Sequence, residues 1–97
     1  MDLKLTGKVA LVTGAHTGIG FSICEELAVN GVHLVMVARR EPELILAAKK
    51  ISEKYGVSVL PIAGDVTDPK LPSLVVEQAE KVFQRIDLLV NNAGRAH

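Results

Sequence analysis

Cysteine and aromatic residues are scarce in this chain of 97 residues. It contains one cysteine, one tyrosine, two phenylalanines and no tryptophan. Because Cys24 is the single thiol, no disulfide can form within the chain, which fits a reducing compartment. The hydrophobic residues, 48% of the total, are therefore mainly Val, Leu, Ile and Ala, which suit strands and helices packed in layers.

Neither sign of charge is in excess, and long hydrophobic runs are lacking. Lys and Arg together number 11, and so do Asp and Glu. The basic residues are dispersed, so nothing indicates nucleic acid or an anionic membrane as a partner. No apolar run approaches the roughly 20 residues that cross a bilayer, and residues 1–8, MDLKLTGK, are too polar for the core of a signal peptide. We therefore expect a soluble, cytoplasmic protein.

What is present is a regular alternation of strand and helix patterns within one small domain. The predicted strands are residues 8–13, 32–37, 57–62 and 86–91. The predicted helices are residues 19–30, 42–54 and 72–84. The strands are almost continuously apolar, as in parallel sheets that are covered on both faces, so the sequence predicts an α/β fold with right-handed crossovers.

Local signals refine these elements. Pro61 lacks an amide donor, so it should lie at the end of its strand or on the sheet edge. Asp68 followed by Pro69 predicts the cap and first turn of the third helix; Pro72 also falls in this turn, which allows the regular helix to start as late as residue 72. Apolar spacing predicts the buried face of each helix: Ile19, Ile23 and Leu27 in the first, Leu44, Ala48 and Ile51 in the second, and Val75, Ala79 and Val82 in the third.

The turn between the first strand and the first helix is rich in glycine: residues 13–20 read TGAHTGIG. A helix N-terminus carries unpaired N–H groups and a partial positive charge, so it attracts phosphate. Gly14 permits a tight turn, Gly18 lets the backbone approach a pyrophosphate, and Gly20 lets the helix pack close to the sheet. On spacing alone, an ordinary strand-to-helix turn remains open as the alternative.

This segment resembles the cofactor loop of the short-chain dehydrogenase/reductase family, Thr-Gly-x-x-x-Gly-x-Gly. GDVTD at 64–68 is similar to the family's segment after the third strand, and DLLVNNAG at 87–94 is similar to its segment after the fourth. The likeness runs from about residue 5 to residue 94. It implies a partial Rossmann-like, doubly wound parallel sheet with strand order 3-2-1-4, and a ligand crevice at the carboxyl ends of the strands.

The resemblance also implies which residues bind a nicotinamide dinucleotide. Asp65 corresponds to the adenine contact, although it could instead cap local amides, and Asn91 corresponds to a residue that ties the fourth strand to its neighbours. His16 has a surface role as its alternative, and Asn92 a purely structural one. The full set is Gly14, His16, Thr17, Gly18, Ile19, Gly20, Arg39, Arg40, Asp65, Val66, Asn91, Ala93 and Gly94.

The end of the second strand indicates which dinucleotide is preferred. NAD-binding folds of this kind usually place an acidic residue there, where this chain has Ala38 followed by Arg39 and Arg40. A guanidinium fork suits a 2′-phosphate, so NADP(H) is favoured, with Arg39 as the ligand and Arg40 as its helper. Two alternatives stay open: both arginines are solvated surface charges, or Glu41 contacts the ribose and admits NAD(H).

The family's catalytic Ser, Tyr and Lys are absent from the predicted site. They belong to a segment that follows Asn-Asn-Ala-Gly, and Tyr55 has Val59, not lysine, four residues on. Gln84 and Arg85 also stand where the family commonly has a helix-ending glycine. We therefore expect residues 1–97 to be an NAD(P)-binding half-domain that is inactive alone and carries no catalytic residue.

Two other functions remain open. The chain could be a non-catalytic nucleotide-binding or dimerisation module, or a structural remnant with an empty crevice. In every case the second face of the sheet is expected to be partly bare and the fourth strand to be an open edge, which favours association with a second copy or with a C-terminal half.

Overall fold

A computed structural model describes residues 3–92, in which four strands alternate with three helices. The strands are β1 (Val9–Thr13), β2 (His33–Ala38), β3 (Val59–Ala63) and β4 (Leu88–Asn91). The helices are α1 (Gly18–Val29), α2 (Glu41–Tyr55) and α3 (Leu71–Phe83), and a short 3-10 turn, Leu3–Leu5, precedes them. The predicted order of elements is confirmed, and the largest differences at an element's start are at β3 and β4, which begin at residues 59 and 88 instead of 57 and 86.

The strands form one parallel sheet in the order β3-β2-β1-β4, as predicted. Thr13 at the end of β1 is in register with Val37 of β2 and with Asn91 of β4. Ala38 is likewise in register with Ala63 of β3. All four strands therefore end at the same edge of the sheet. Pro61 lies in β3, which is an edge strand, as expected for a residue that has no amide N–H to donate.

The two faces of the sheet carry separate hydrophobic clusters, since successive side chains of a strand point to opposite faces. Helices α1 and α2 cover the face that presents Val12, Leu34 and Met36, all fully buried. Helix α3 covers the other face, where it packs on Val35 and Val37. One helix covers less of a four-stranded sheet than two do, so the α3 face is the less completely covered.

Helix α1 turns a different face to the sheet from the one that its apolar spacing predicts. Ile19, which begins the predicted stripe, is 72% exposed. The buried positions of α1 lie one residue further along and hold the small residues Gly20, Cys24 and Ala28. Small side chains let the helix axis come close to the sheet. Close packing of the backbone therefore decides which face of α1 is buried, although the neighbouring Ile and Leu side chains are larger and more hydrophobic.

The other two helices follow their predicted faces more closely. Leu44, Ala48 and Ile51 of α2 are all buried. In α3, Val75 and Ala79 are buried as predicted, but Val82 is 51% exposed. Phe83 packs on the cluster of this face instead, together with Ile86. The inward side of α3 therefore shifts by one residue in its last turn.

The predicted cap of α3 is wrong. The helix begins at Leu71 with Lys70 as its N-cap and a proline in its first turn, which is Pro72 and not Pro69. Asp68 closes the preceding turn: its carboxylate accepts the N–H of Lys70 at 2.9 Å, and its carbonyl accepts the N–H of Leu71 at 3.0 Å. The Asp-Pro pair thus shapes a turn before the helix.

None of the three helices in the described range is long and apolar enough to span a membrane.

Helix α3 ends at Phe83, and its C-cap residue, Gln84, has the left-handed conformation with φ 62°. The N–H of Gln84 reaches the carbonyl of Glu80 at 2.9 Å, so the geometry is the one that glycine usually provides at this position. A side chain at positive φ is strained because its Cβ approaches the backbone.

We expect Gln84→Gly to stabilise the chain by about 0.5–1 kcal/mol, because relief of the left-handed strain exceeds the added entropy of the unfolded state. Urea unfolding followed by circular dichroism measures the change. Gln84→Ala is the matched control, since it removes the same side chain but retains a Cβ. An equal gain in both variants would show that backbone strain at this position is not the cause.

Candidate functional site

The carboxyl ends of the strands are joined to one another by hydrogen bonds between their loops. The N–H of Ala15, just past β1, donates to the carbonyl of Val37 in β2 at 3.3 Å. The N–H of Gly64, just past β3, donates to the carbonyl of Ala38 at 2.9 Å. These bonds place the glycine loop, the arginine pair after β2 and the loop after β3 side by side along one rim.

The fourth strand joins this rim through side chains of the two most distant motifs. The hydroxyl of Thr13 donates to Oδ1 of Asn91 at 2.9 Å and accepts the N–H of Asn92 at 3.0 Å. Nδ2 of Asn92 lies 3.4 Å from the carbonyl of Gly14. The Thr-Gly and Asn-Asn segments, 78 residues apart, are thus bonded to each other at the point where β1 and β4 end.

The glycine loop presents a helix N-terminus to the crevice. Gly14 and Gly18 both have positive φ, 62° and 59°, which side-chain-bearing residues rarely adopt. Thr17 is the N-cap of α1, and its hydroxyl makes no capping hydrogen bond. The N–H of Phe21 bonds to the carbonyl of Thr17, so the N–H groups of the first three residues of α1 have no acceptor within the helix. Such a terminus offers donors and a partial positive charge to an anion.

Gly20 brings α1 close to this loop. A Cβ atom placed on Gly20 would lie 1.9 Å from the carbonyl oxygen of Gly14 and 2.8 Å from Nδ2 of Asn92. No side chain fits there without moving the backbone. The absence of a side chain at this position therefore allows α1 to begin directly behind the crevice.

Two further side chains lie at the start of α1. Nδ1 of His16 is shielded from solvent and has no hydrogen-bond partner among the described residues. Its ring lines a cleft between the glycine loop and α2 that also includes Thr17 and Phe21. Ile19 is largely exposed. A ring nitrogen that is shielded from solvent and has no partner is unfavourable, so this end of the site contains an unsatisfied polar group.

The arginine pair after β2 is exposed on the same rim. Nε of Arg39 lies 3.8 Å from Oδ2 of Asp65, and the Arg39 side chain is 74% exposed. Nη1 of Arg40 lies 3.6 Å from Oε2 of Glu43. Arg39 therefore faces the loop after β3, whereas Arg40 is paired along α2. Glu41 is the first residue of α2 and is exposed.

The loop after β3 is ordered by Thr67. Its N–H and its hydroxyl both donate to Oδ1 of Asp65, at 2.9 Å and 2.7 Å. These two hydrogen bonds hold the pKa of Asp65 below its usual value, and the charge of Arg39 acts in the same direction. Val66, between them, is 39% exposed. The carboxylate therefore stays ionised near neutral pH and keeps Oδ2 available to Arg39.

Residues that sequence reasoning missed also shape this loop. Thr67 was not among the predicted site residues, although an Asp followed two residues later by Thr is a recognisable turn pattern. Gly64 was also missed: a Cβ there would lie 2.5 Å from Cδ1 of Leu71, so its absence lets α3 pack under the loop. The predicted contacts Ala93 and Gly94 lie outside the described residues.

Other reactive side chains are used elsewhere in the fold. The hydroxyl of Tyr55 donates to Oε2 of Glu25 at 3.1 Å, where it joins α2 to α1. Cys24 is buried in α1, and burial raises its pKa to about 12, so it is held as a thiol. Nδ1 of His33 accepts the N–H of Ser58. Within residues 3–92, no group of His, Cys, Asp and Glu is arranged to hold a metal ion.

The chain is similar to known proteins in both sequence and structure. The family model described as short chain dehydrogenase matches residues 8–97. An NADP-dependent 3-hydroxy acid dehydrogenase of Schizosaccharomyces pombe is 47% identical over 94 residues, which are 96% of this chain and 36% of that protein. An uncharacterized oxidoreductase of Bacillus subtilis, YhxC, is 44% identical over 94 residues, which are 97% of this chain and 33% of that protein.

Solved structures extend the likeness to the fold. The L-sorbose reductase of Gluconobacter frateurii, in complex with NADPH and L-sorbose, matches with a TM-score of 0.96 and 45% identity over 100% of this chain and 37% of that one. An NAD+-bound xylitol dehydrogenase matches with a TM-score of 0.89 and 35% identity over 95% of this chain and 35% of that one. The chain thus spans about a third of the length of the relatives it matches.

Gly20→Ala tests the close approach that builds the site. The added methyl group collides with the carbonyl of Gly14, so we expect a loss of about 1–3 kcal/mol in the free energy of unfolding. Ser22→Ala, on the exposed side of the same helix, is the control and should change it by less than about 0.5 kcal/mol. An unfolding midpoint that Gly20→Ala leaves unchanged would contradict the packing of α1 against the loop.

Proposed function

The chain belongs to the short-chain dehydrogenase family, and from that membership we propose that residues 1–97 form the cofactor-binding portion of an NADP(H)-dependent oxidoreductase. The observation that carries the proposal is the rim itself: one edge of the sheet combines an open helix N-terminus, an exposed Arg39 and a carboxylate at Asp65. When bound, the nicotinamide supplies hydride exchange with a carbonyl or alcohol substrate.

The glycine loop is the proposed pyrophosphate site. The N–H groups at the start of α1 donate to the phosphates, and the missing Cβ of Gly20 keeps the helix close behind them. His16 and Thr17 lie beside this terminus, one with an unpartnered ring nitrogen and the other with an unused capping hydroxyl. The hydroxyl of Thr17 can donate a hydrogen bond to a phosphate oxygen, and His16 can do so once its ring turns to expose Nδ1. Ile19 then provides an apolar surface next to the phosphate.

Arg39 is the proposed ligand of the 2′-phosphate. Ala38 occupies the place where a carboxylate would repel that phosphate, and the fork of Arg39 is exposed beside it. Arg40, already within 3.6 Å of a carboxylate of α2, contributes mainly charge. NAD(H) is the alternative cofactor, with Glu41 near the ribose, and both dinucleotides occur among the relatives' structures.

The adenosine half would lie between the loops after β2 and β3. Asp65 accepts a hydrogen bond from the adenine amino group, and Val66 provides an exposed apolar contact beside it. Asn91 acts through Thr13, keeping β4 in register at the mouth of the crevice. Ala93 and Gly94 complete the proposed lining. We propose the cytoplasm as the compartment.

Catalysis would require a further segment that carries the family's Ser, Tyr and Lys. The α3 face of the sheet offers a groove of about 570 Å³ for such a segment, with Leu11, Val75 and Val76 in its lining. Leu89 of β4 also lines it and is 70% exposed, and β4 is an edge strand. An apolar groove next to an open edge favours docking of a C-terminal half of the enzyme.

The same groove favours a second candidate function, a non-catalytic nucleotide-binding or dimerisation module. In that case two copies of the chain would cover each other's α3 face, and the bound dinucleotide would stabilise the pair without turnover. The two functions differ in what occupies the groove and in whether NADPH is consumed.

Titration with NADPH and NADH tests the cofactor assignment. We expect Arg39→Ala to weaken NADPH binding by about tenfold or more, because a charge-assisted contact to the 2′-phosphate is lost, and to change NADH binding by less than about twofold. Fluorescence of the nicotinamide follows the binding. Lys81→Ala removes the same charge from α3, away from the rim, and serves as the control. Equal NADPH affinity in the wild type and Arg39→Ala would remove Arg39 from the site.

Mixing the chain with the C-terminal remainder of a matched relative that contains Tyr-x-x-x-Lys tests the docking. NADPH oxidation in the presence of a carbonyl substrate is expected from the mixture and from neither component alone. Leu89→Asn should weaken the complex by about tenfold, as expected for an apolar side chain lost from an interface. Val29→Asn, at an exposed position of α1, should not. Turnover by the chain alone would refute the half-domain assignment.

A further inference from the structure

We propose that Thr67 is a positioning residue for recognition of the 2′-phosphate, acting through Asp65 on Arg39. This inference rests on the proposed function, since it concerns the same cofactor site. It assigns to the loop after β3 a part in choosing between NADP(H) and NAD(H), in addition to its expected contact with adenine.

The geometry of the carboxylate supports this role. Both donors of Thr67, the N–H and the hydroxyl, bond to the same oxygen of Asp65, Oδ1. Two donors on one oxygen fix the rotation of the carboxyl group, and they leave Oδ2 directed at Arg39, whose Nε is 3.8 Å away. Without the hydroxyl of Thr67, one hydrogen bond remains and the carboxyl group can turn more freely.

The contact with Asp65 uses the part of Arg39 that the phosphate does not need. Nε is the inner donor of the guanidinium, and the two terminal nitrogens form the outward fork that matches a phosphate. A carboxylate held at Nε therefore orients the fork without occupying it. Asp65 also carries a negative charge that would oppose the phosphate, and the two donors of Thr67 together with Arg39 offset part of that charge.

The exposure of the Arg39 and Asp65 side chains sets the expected size of the effect on ligand binding. The Arg39 and Asp65 side chains are 74% and 44% exposed, and ion pairs at such positions contribute little to folding. Loss of the positioning should therefore leave the fold intact and appear in ligand discrimination. The hydroxyl at 2.7 Å is the group to remove, because Thr67→Val keeps the backbone hydrogen bond that closes the turn.

The test compares 2′,5′-ADP with 5′-AMP, two ligands that differ only in the 2′-phosphate. By calorimetry, we expect Thr67→Val to weaken 2′,5′-ADP binding by about threefold, a loss of the size expected for an exposed ion pair. Binding of 5′-AMP should fall by a smaller factor, since it loses only what Asp65 contributes at the adenine, which the two ligands share. Thr67→Ser, which restores the hydroxyl, should bind both ligands as the wild type does. An unchanged ratio of the two affinities in Thr67→Val would overturn the proposal.

Two measurements separate this inference from the cofactor assignment. In an Arg39→Ala background, Thr67→Val should not change the ratio of the 2′,5′-ADP and 5′-AMP affinities any further, since its partner is gone; a further threefold change in that ratio would overturn the route through Arg39. In the free protein, the NMR signal of the Arg39 Nε–H should shift in Thr67→Val, and an unmoved signal would also overturn it. If the wild type does not prefer 2′,5′-ADP, the NADP(H) assignment fails, and the positioning role fails with it.

Discussion

The candidate site depends on one close contact, between the start of α1 and the turn that follows β1. The backbone of Gly20 lies so near the carbonyl of Gly14 that a Cβ would be 1.9 Å away. This contact sets α1 directly behind the crevice, with its N–H groups facing it. Asn92 reaches the same carbonyl from β4, at 3.4 Å, so the packing of the helix and the register of the fourth strand meet at one point.

The parallel arrangement of the strands brings further loops to the same rim as this contact. Because all four strands end at the same edge, each loop that follows a strand bonds to its neighbour: Ala15 to Val37, Gly64 to Ala38, and Asn92 to Thr13. Chemically different groups are thereby brought into line, with the amides at the start of α1 at one point and a guanidinium beside a carboxylate at another. A dinucleotide has its own charges and hydrogen-bonding groups spread along its length, so a line of sites suits it better than a single pocket.

The two faces of the sheet differ in how completely helices cover them. The face under α1 and α2 is closed by small and aliphatic side chains, with Leu34, Met36 and Ile51 fully buried. The face under α3 keeps an apolar groove that ends at the exposed Leu89. Burial of such surface is favourable by roughly 25 cal/mol for each Å² removed from water. The candidate site is therefore built along one rim of the sheet, whereas the α3 face behind it keeps an exposed apolar surface.

The sequence by itself determined the alternation of strands and helices, the strand order through its family resemblance, and the positions of the three motifs. The alternation and the motifs depend on local chemistry, such as glycine where a turn is tight and β-branched residues where both faces of a strand are covered. Only the tertiary structure decided that α1 buries Gly20, Cys24 and Ala28 and not the stripe that begins at Ile19. Hydrophobic spacing records how apolar a face is, and it does not record how closely the helix must approach. The contacts of Thr67 could not be predicted for the same reason: its bond to Asp65 gains meaning only when the loop after β3 is placed beside Arg39.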